Sequence, residues 1–338
     1  MNFSLTNEQI ELIEAVKNTL KIFDDRYWLK VDTENTFPSK FVQIMAEGGW
    51  LGIAMPEEYG GSNLGIMEAA LMMMTVAEIG GMTAASSIHM NIFGPSSLVK
   101  FGNNNQKKEW LPNIIKGKNQ MCFAVTEPDS GLDTTRLKTI AILNGNYYNV
   151  NGRKIWTSTA QIADKIMILA RTSKRKNSSP TNGLSLFYTD FDKQKIEARI
   201  IDKMGRNAVD TNELFIDNLK IHKKDLIGEE GKGFHYIIHS LNPERILVAA
   251  EAYGIAKNAL DRAVKYANER IVFEQPIGKN QSIQHPLADG WAKIEAAKLM
   301  FLKAASLYDK NLPCGLEANA AKYLAAEFGM EICKQAIA

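Results

Sequence analysis

The chain has little of what a metal site or a disulfide framework requires. Its 338 residues include three cysteines, Cys122, Cys314 and Cys333, far apart and odd in number. That excludes paired ligand spacing and an even disulfide set, and fits the reduced thiols of a cytoplasmic protein. The five histidines are scattered too. Excess charge is missing: 40 basic against 38 acidic side chains leave a net +2, so nothing global steers the protein to nucleic acid or a membrane surface. The densest basic stretch, "RTSKRKNSSPTNG" at 171–183, is rich in Ser, Asn, Pro and Gly and reads as an exposed loop. The start "MNFSLTNEQIELI" lacks a cationic region followed by an apolar one, which argues against a secretory signal. The most apolar window, "GIMEAALMMMTVAEIGG", is interrupted by Glu68 and Glu78 and is too short to span a bilayer, so a soluble protein is expected. Also absent are βαβ alternation and a Gly-rich turn after a strand, which excludes a Rossmann or P-loop nucleotide site.

What is present is an ordinary globular composition, 45% hydrophobic and 23% charged, long enough to build a core without a staple. Residues 1–118 carry helical periodicity. In "LTNEQIELIEAVKNTLKIF", Ile10, Ile13, Val16, Leu20 and Phe23 recur at three- and four-residue steps, and Thr6 with Gln9 makes a capping box. "FPSKFVQIMAEGGW" predicts a second helix, "GIMEAALMMMTVAEIGG" a third whose methionines fill core, and "NNQKKEWLPNIIKG" a fourth stopped by Gly117. The period changes near Met121. "MCFAVTEP", "YYNVNGRKIWT", "KIMILART", "LSLFYTDF", "IEARII" and "NELFIDNLKI" are short β-branched and aromatic runs. The pairs Asn144-Gly145 and Asn151-Gly152 read as turns between strands. Residues 119–232 are therefore expected to form a β domain, a small barrel or sandwich. From 233 to 338 the helical period returns in three long segments with short connections, which predicts an antiparallel bundle.

In "SLNPERILVAA", at 240–250, Asn242 suits an N-cap, Pro243 a first helical position and Glu244 the first turn of a helix. On that local reading Glu244 is a helix-start acid and Arg245 a solvated charge.

Several collinear motifs resemble the acyl-CoA dehydrogenase family. "CFAVTEPDSGLDTT" with "NGRKIWTSTAQIADKIMILART" looks like its flavin-binding middle domain. "KMGRNAVDTNELFIDNLKIHKKDLIGEEGKGF", "ERIVFEQPIGKNQSIQHPLAD" and "GGWLGIAMPEEYGG" resemble further segments, covering essentially the whole chain. The resemblance implies a helical domain, a β domain and a helical bundle. It also implies FAD as cofactor, oxidation of an acyl-CoA thioester to the trans-2-enoyl-CoA, an electron-transferring flavoprotein as acceptor, and a homotetramer or homodimer. Carried over by position, Phe123, Val125 and Thr126 line the flavin ring, and Trp156 and Ser158 stand beside its reactive nitrogen. Arg270, Phe273 and Gln281 hold the diphosphate and adenine end, where an arginine's planar fork can bond two oxygens.

The reaction needs a carboxylate held against the substrate to remove the α-proton. Most family members supply it from a "YEGT"-like stretch, and none occurs here, because the chain ends at "ICKQAIA" inside an apolar helix, as a truncated sequence would. A minority carry the base on the bundle helix directly before an arginine, and "NPER" puts Glu244 there, with Asn242 and Arg245 toward the substrate. Leu132 is a departure on the substrate side, where a serine is common. Glu274 is another, where glycine usually follows Phe273. Glu127, a turn acid before Pro128, reads as structural. Two other readings stay open: an acyl-CoA oxidase or flavin monooxygenase of the same fold, and a catalytically silent acyl-CoA-binding protein or scaffold.

Overall fold

The computed structural model describes residues 4–338. Helix α1 (Asn7–Leu20) starts at the expected capping box. The Thr6 hydroxyl accepts from the Gln9 amide at 3.3 Å, and the Gln9 side chain accepts from the Thr6 amide at 3.1 Å. Val16 and Leu20 are wholly buried and Phe23 nearly so, while Ile10 at the start of the same stripe is exposed. A helix the periodicity does not announce, α2 (Asp25–Thr33), follows and buries Trp28 and Val31. Helix α3 (Ser39–Glu47) is the second predicted one.

Helix α4 (Ile66–Phe93) differs from expectation, because it does not stop at Gly80-Gly81. Gly81 takes φ 68°, ψ −168°, so α4 is two helical pieces joined at a kink. Only a glycine fits at 80, where a Cβ would lie 2.8 Å from the Trp28 ring. With the helices α5 (Ser96–Phe101) and α6 (Asn104–Ile115) the first helical region is complete. Residues Ile66–Phe101 are long and apolar enough to cross a membrane, which corrects the expectation of too short a stretch. In this fold, however, 67% of the most apolar window is buried inside the protein. Met72 and Met73 are wholly buried, as core filler should be.

The strands are β1 (Met121–Ala124), β2 (Ile140–Asn144), β3 (Tyr147–Ser158), β4 (Lys165–Arg171), β5 (Leu184–Asp190), β6 (Ile196–Ile200), β7 (Thr211–His222) and β8 (Leu226–Ile227). They form one sheet in the order β6-β7-β3-β2-β4-β5-β8, with β1 parallel to β4. Strand β4 shows why its run is continuously apolar. Ile166, Ile168 and Ala170 enter one core cluster, Met167 and Leu169 another, as alternation across a strand buried on both faces requires. The β2–β3 hairpin turns at Gly145-Asn146, with Gly145 at φ 62°. Asn151-Gly152, expected as a turn, lies inside β3 instead. There a Cβ on residue 152 would sit 2.3 Å from the Thr139 hydroxyl, so the glycine serves a close approach. The irregularity opposite falls on β7, where Val150 pairs with Leu219 but Gly152 with Ile216, and Asn218 takes φ 50°.

The long helices are α7 (Gly233–Glu269), α8 (Gln281–Asp309) and α9 (Gly315–Ile337). A small hairpin of β9 (Ile271–Val272) and β10 (Gln275–Pro276) separates the first two. Helix α7 begins ten residues before Pro243, so the expected start at Asn242-Pro243 is not there. Helices α8 and α9 bury small residues together with Ile294, Phe301 and Ile332. The described chain divides into two compact units. One comprises residues 4–28, Leu64–Ala85 and Asn242–Ala338, the other Leu29–Asn63 and Ser86–Leu241.

Candidate active site

In the unit that holds the sheet, the chain leaving β1 runs beside the end of β3. The Thr126 carbonyl accepts from the Ile155 amide at 2.9 Å. Beneath this contact lies Lys154, whose side chain is wholly buried. Its ammonium donates to the Val125 carbonyl at 3.0 Å, the Leu169 carbonyl at 2.7 Å and Glu127 Oε1 at 3.0 Å. Three donors meet three acceptors, so the charge is fully satisfied. Glu127 also accepts from the amides of Lys138 at 2.6 Å and Thr139 at 2.9 Å. Burial alone would raise the proton affinity of Glu127, but the ammonium beside it and these donors hold it below the usual carboxylate range. A carboxylate so occupied is a brace for the corner and not a base, in line with the structural reading.

Above this brace β3 is bulged. Lys154 pairs with Leu214 and Thr157 with Asn212, so Ile155 and Trp156 together face the single residue Glu213. Trp156 takes φ 61° and Thr159 φ 63°, costly conformations for such residues that only a well-determined surrounding maintains. The Thr159 hydroxyl donates to the Met121 carbonyl at 2.9 Å, tying the end of β3 to the start of β1. The bulge turns the indole outward, and Trp156 is 60% exposed. Phe123, Val125, Thr126 and Ser158, on the two chain segments joined by the Thr126–Ile155 and Met121–Thr159 bonds, are half-buried, and Phe123 packs edge-on to Phe93 at 5.1 Å. The structure thus brings together all five residues expected at the flavin ring. No hydrogen-bond partner exists for the Thr126 or Ser158 hydroxyl among the described residues. Two open hydroxyls beside an outward-facing indole fit a planar heteroaromatic with polar edges, so the residues present suit a flavin. Leu132 stands apart, fully exposed at the tip of the loop whose turn Ser130 closes by donating to the Asp133 carbonyl at 2.6 Å.

Lys154 is the residue that sequence reasoning missed. The signal was available: in "YYNVNGRKIWT" it falls on the inward parity shared by Tyr148 and Val150, and an inward lysine needs an acid.

In the other unit, Asn242, Glu244 and Arg245 sit on α7. Glu244 lies eleven residues from the start of that helix, well past the first turn where a dipole favours an acid. Its carboxyl is half-buried, and the chain on both sides, Pro243 and Ile246, is buried. The Arg245 guanidinium donates to the Asn242 side-chain oxygen at 3.3 Å.

Arg270, Phe273 and Gln281 follow on the connection from α7 to α8, and all three are exposed. The hairpin there is closed by Phe273 at φ 50° and Glu274 at φ 64°, the left-handed pair of a two-residue turn. Glycine adopts this conformation freely, whereas the Glu274 side chain makes it strained. Phe273 is 95% exposed.

Comparison with known proteins gives one consistent answer. The family profiles described as acyl-CoA dehydrogenase N-terminal, middle and C-terminal domains match residues 6–118, 122–219 and 231–338. A probable acyl-CoA dehydrogenase of Bacillus subtilis is 37% identical over all of this chain and 88% of its own length. The caffeyl-CoA reductase-Etf complex subunit CarC of Acetobacterium woodii is 34% identical over 100% of this chain and 88% of its own. Among solved structures, a glutaryl-coenzyme A dehydrogenase in complex with glutaryl-CoA superposes with a TM-score of 0.94 at 32% identity. It covers all of this chain and 86% of that one.

Proposed function

The chain belongs to the acyl-CoA dehydrogenase family, and we propose that it is an FAD-dependent enzyme that removes hydrogen across the α,β bond of an acyl-CoA thioester, with Glu244 as the base. One observation carries the assignment of the base. Glu244 is mid-helix, so a helix start no longer accounts for a half-buried carboxylate at that position.

The residues divide the work. Glu244 takes the α-proton onto a carboxylate oxygen. Arg245, held by Asn242 at 3.3 Å, orients the substrate side of the site. Phe123, Val125, Thr126, Trp156 and Ser158 hold the flavin ring. Trp156 gives an apolar wall, and the Thr126 and Ser158 hydroxyls give donors toward the polar edges of the ring. Arg270, Phe273 and Gln281 are the contacts for the diphosphate and adenine end. FAD held by these residues would supply the two-electron acceptor chemistry that the reaction requires.

An electron-transferring flavoprotein takes the electrons onward. On the same reading the enzyme works in fatty acid β-oxidation in the cytoplasm, as a homotetramer or homodimer. What supports an oligomer is a stripe of exposed apolar side chains on α9, Leu316, Tyr323, Met330 and Ile337, at seven-residue steps. The relative named as a reductase motivates a second reading, in which the site runs in reverse and Glu244 returns a proton to the α-carbon of an enoyl-CoA.

Glu244→Gln should abolish reduction of the bound flavin by acyl-CoA, followed as bleaching of its visible absorption, while the FAD content stays unchanged. Bleaching at the wild-type rate would remove Glu244 from the mechanism.

A further inference from the structure

Lys154 does more than brace a corner, because of where one of its hydrogen bonds lands. Its ammonium donates to the Val125 carbonyl at 3.0 Å, and that carbonyl belongs to the same peptide unit as the Thr126 N–H. No peptide bond among the described residues is cis, so the two groups of the unit point in opposite directions. With the carbonyl turned onto the buried ammonium, the Thr126 amide is turned away from it. Among the described residues no acceptor meets that amide, and Thr126 is half-buried. The following peptide is held as well, since the Thr126 carbonyl accepts from the Ile155 amide at 2.9 Å. An open main-chain donor thus stands, pinned on both sides, on the residue that also carries an open hydroxyl.

Burial draws the proton affinity of Lys154 down to about 8, and the Glu127 carboxylate opposes that shift. Near neutral pH the side chain is therefore an ammonium. A cation on a carbonyl oxygen pulls electron density along the peptide and strengthens the N–H at its other end as a donor. Linked hydrogen bonds polarise one another in this way, most strongly in a low-dielectric interior. Glu127 sits on the ammonium at 3.0 Å, so it offsets the charge at a distance and leaves the contact with the carbonyl in place.

We propose that Lys154 sets the reduction potential of the bound FAD, by polarising the Val125–Thr126 peptide whose N–H donates to a polar edge of the flavin ring. The inference rests on the flavin reading of this corner. It makes Lys154 a positioning residue that acts through one peptide, and it separates the tuning of the cofactor from Glu244, which handles the substrate proton. A stronger donor at a polar edge favours the ring once it has taken up electrons, because hydrogen bonds to the ring tune its electronics.

The test has two readouts on the FAD-loaded protein. Titration against a dye of known potential, with dithionite as electron donor, reads the potential. The infrared carbonyl stretch of the bound flavin reads the strength of the hydrogen bond. Lys154→Met made together with Glu127→Gln removes both charges and leaves no buried ion alone. In it the ratio of reduced to oxidised flavin at a fixed dye ratio should fall roughly tenfold, about 30 mV for a two-electron couple. The carbonyl stretch should rise, and the FAD content should match that of wild type. If that pair does not fold, Lys154→Gln with Glu127→Gln keeps a neutral donor in place and should move both readouts in the same directions by less.

A double variant with full FAD content and wild-type potential and stretch would overturn the proposal and leave the flavin reading intact. A lower potential without a shifted stretch would overturn the route through the peptide. A folded variant that no longer retains FAD would overturn the proposal too, since Lys154 would then govern binding. Wild type that takes up no FAD would overturn the flavin reading and the proposal with it.

Discussion

Glu127 and Glu244 are both carboxylates in family motifs, and their surroundings differ. Glu127 is buried and meets an ammonium and two amides, so its oxygens are spent and its proton affinity is held down. Glu244 is half-buried in the middle of a helix, with a neighbouring arginine fixed by an asparagine. The difference shows that proximity to a site does not make an acid a base. What counts is how the surrounding groups engage the carboxylate.

The harshest way to break the contrast is to remove the partner of Glu127. Lys154→Met leaves a buried carboxylate uncompensated and should cost about 3–5 kcal/mol of stability, seen as a fall in the denaturant midpoint. A midpoint like that of wild type would mean that water replaces the lysine and that the corner is not braced as described. Next, Glu244→Gln should leave stability within about 1 kcal/mol of wild type while the rate of flavin reduction falls about a hundredfold to ten-thousandfold. The reverse pattern would exchange the roles of the two acids.

A smaller effect should appear in acid. The Glu127 carboxyl binds protons less readily in the fold than its ordinary 4.5. Its contribution is complete above about pH 4.5 and is lost as the pH falls through the lower value of the folded state. Unfolding midpoints measured from about pH 5.5 down to about pH 3 should decline more steeply in wild type than in Glu127→Gln, and equal slopes would contradict the sign. Smallest of all, Glu274→Gly should relieve the left-handed strain at the hairpin and add about 0.5–1 kcal/mol. A destabilised variant would show that the glutamate makes a contact worth more than its strain.

Much of this was legible in the sequence. The capping box at Thr6 and Gln9 uses only neighbours four residues apart or fewer, so the local pattern settles it. The runs that became β4 and β5 are apolar on both faces and could be nothing else of that length between turn residues. Legibility failed where a distant group decides. Gly80-Gly81 reads as a stop, but the Trp28 ring requires a glycine at 80 and the helix resumes beyond the kink. Asn151-Gly152 reads as a turn, but the approach of Thr139 keeps it in a strand. Pro243 reads as a start because proline suits the first turn, yet preceding turns packed on buried Tyr236 and Ile237 carry the helix through it. In each case packing at long range outweighed a short-range preference.

The bulge at Ile155 and Trp156 has a further consequence for how this corner is spelled. Before it, the even-numbered positions Tyr148, Val150 and Lys154 face the interior of β3; after it, the odd-numbered Thr157 does. The extra residue acts as a change of parity. Straightening the strand with both residues kept in the ladder would swap the faces of Thr157 and Ser158, sending the open hydroxyl inward and the buried one out. The strand would keep its composition and lose its address.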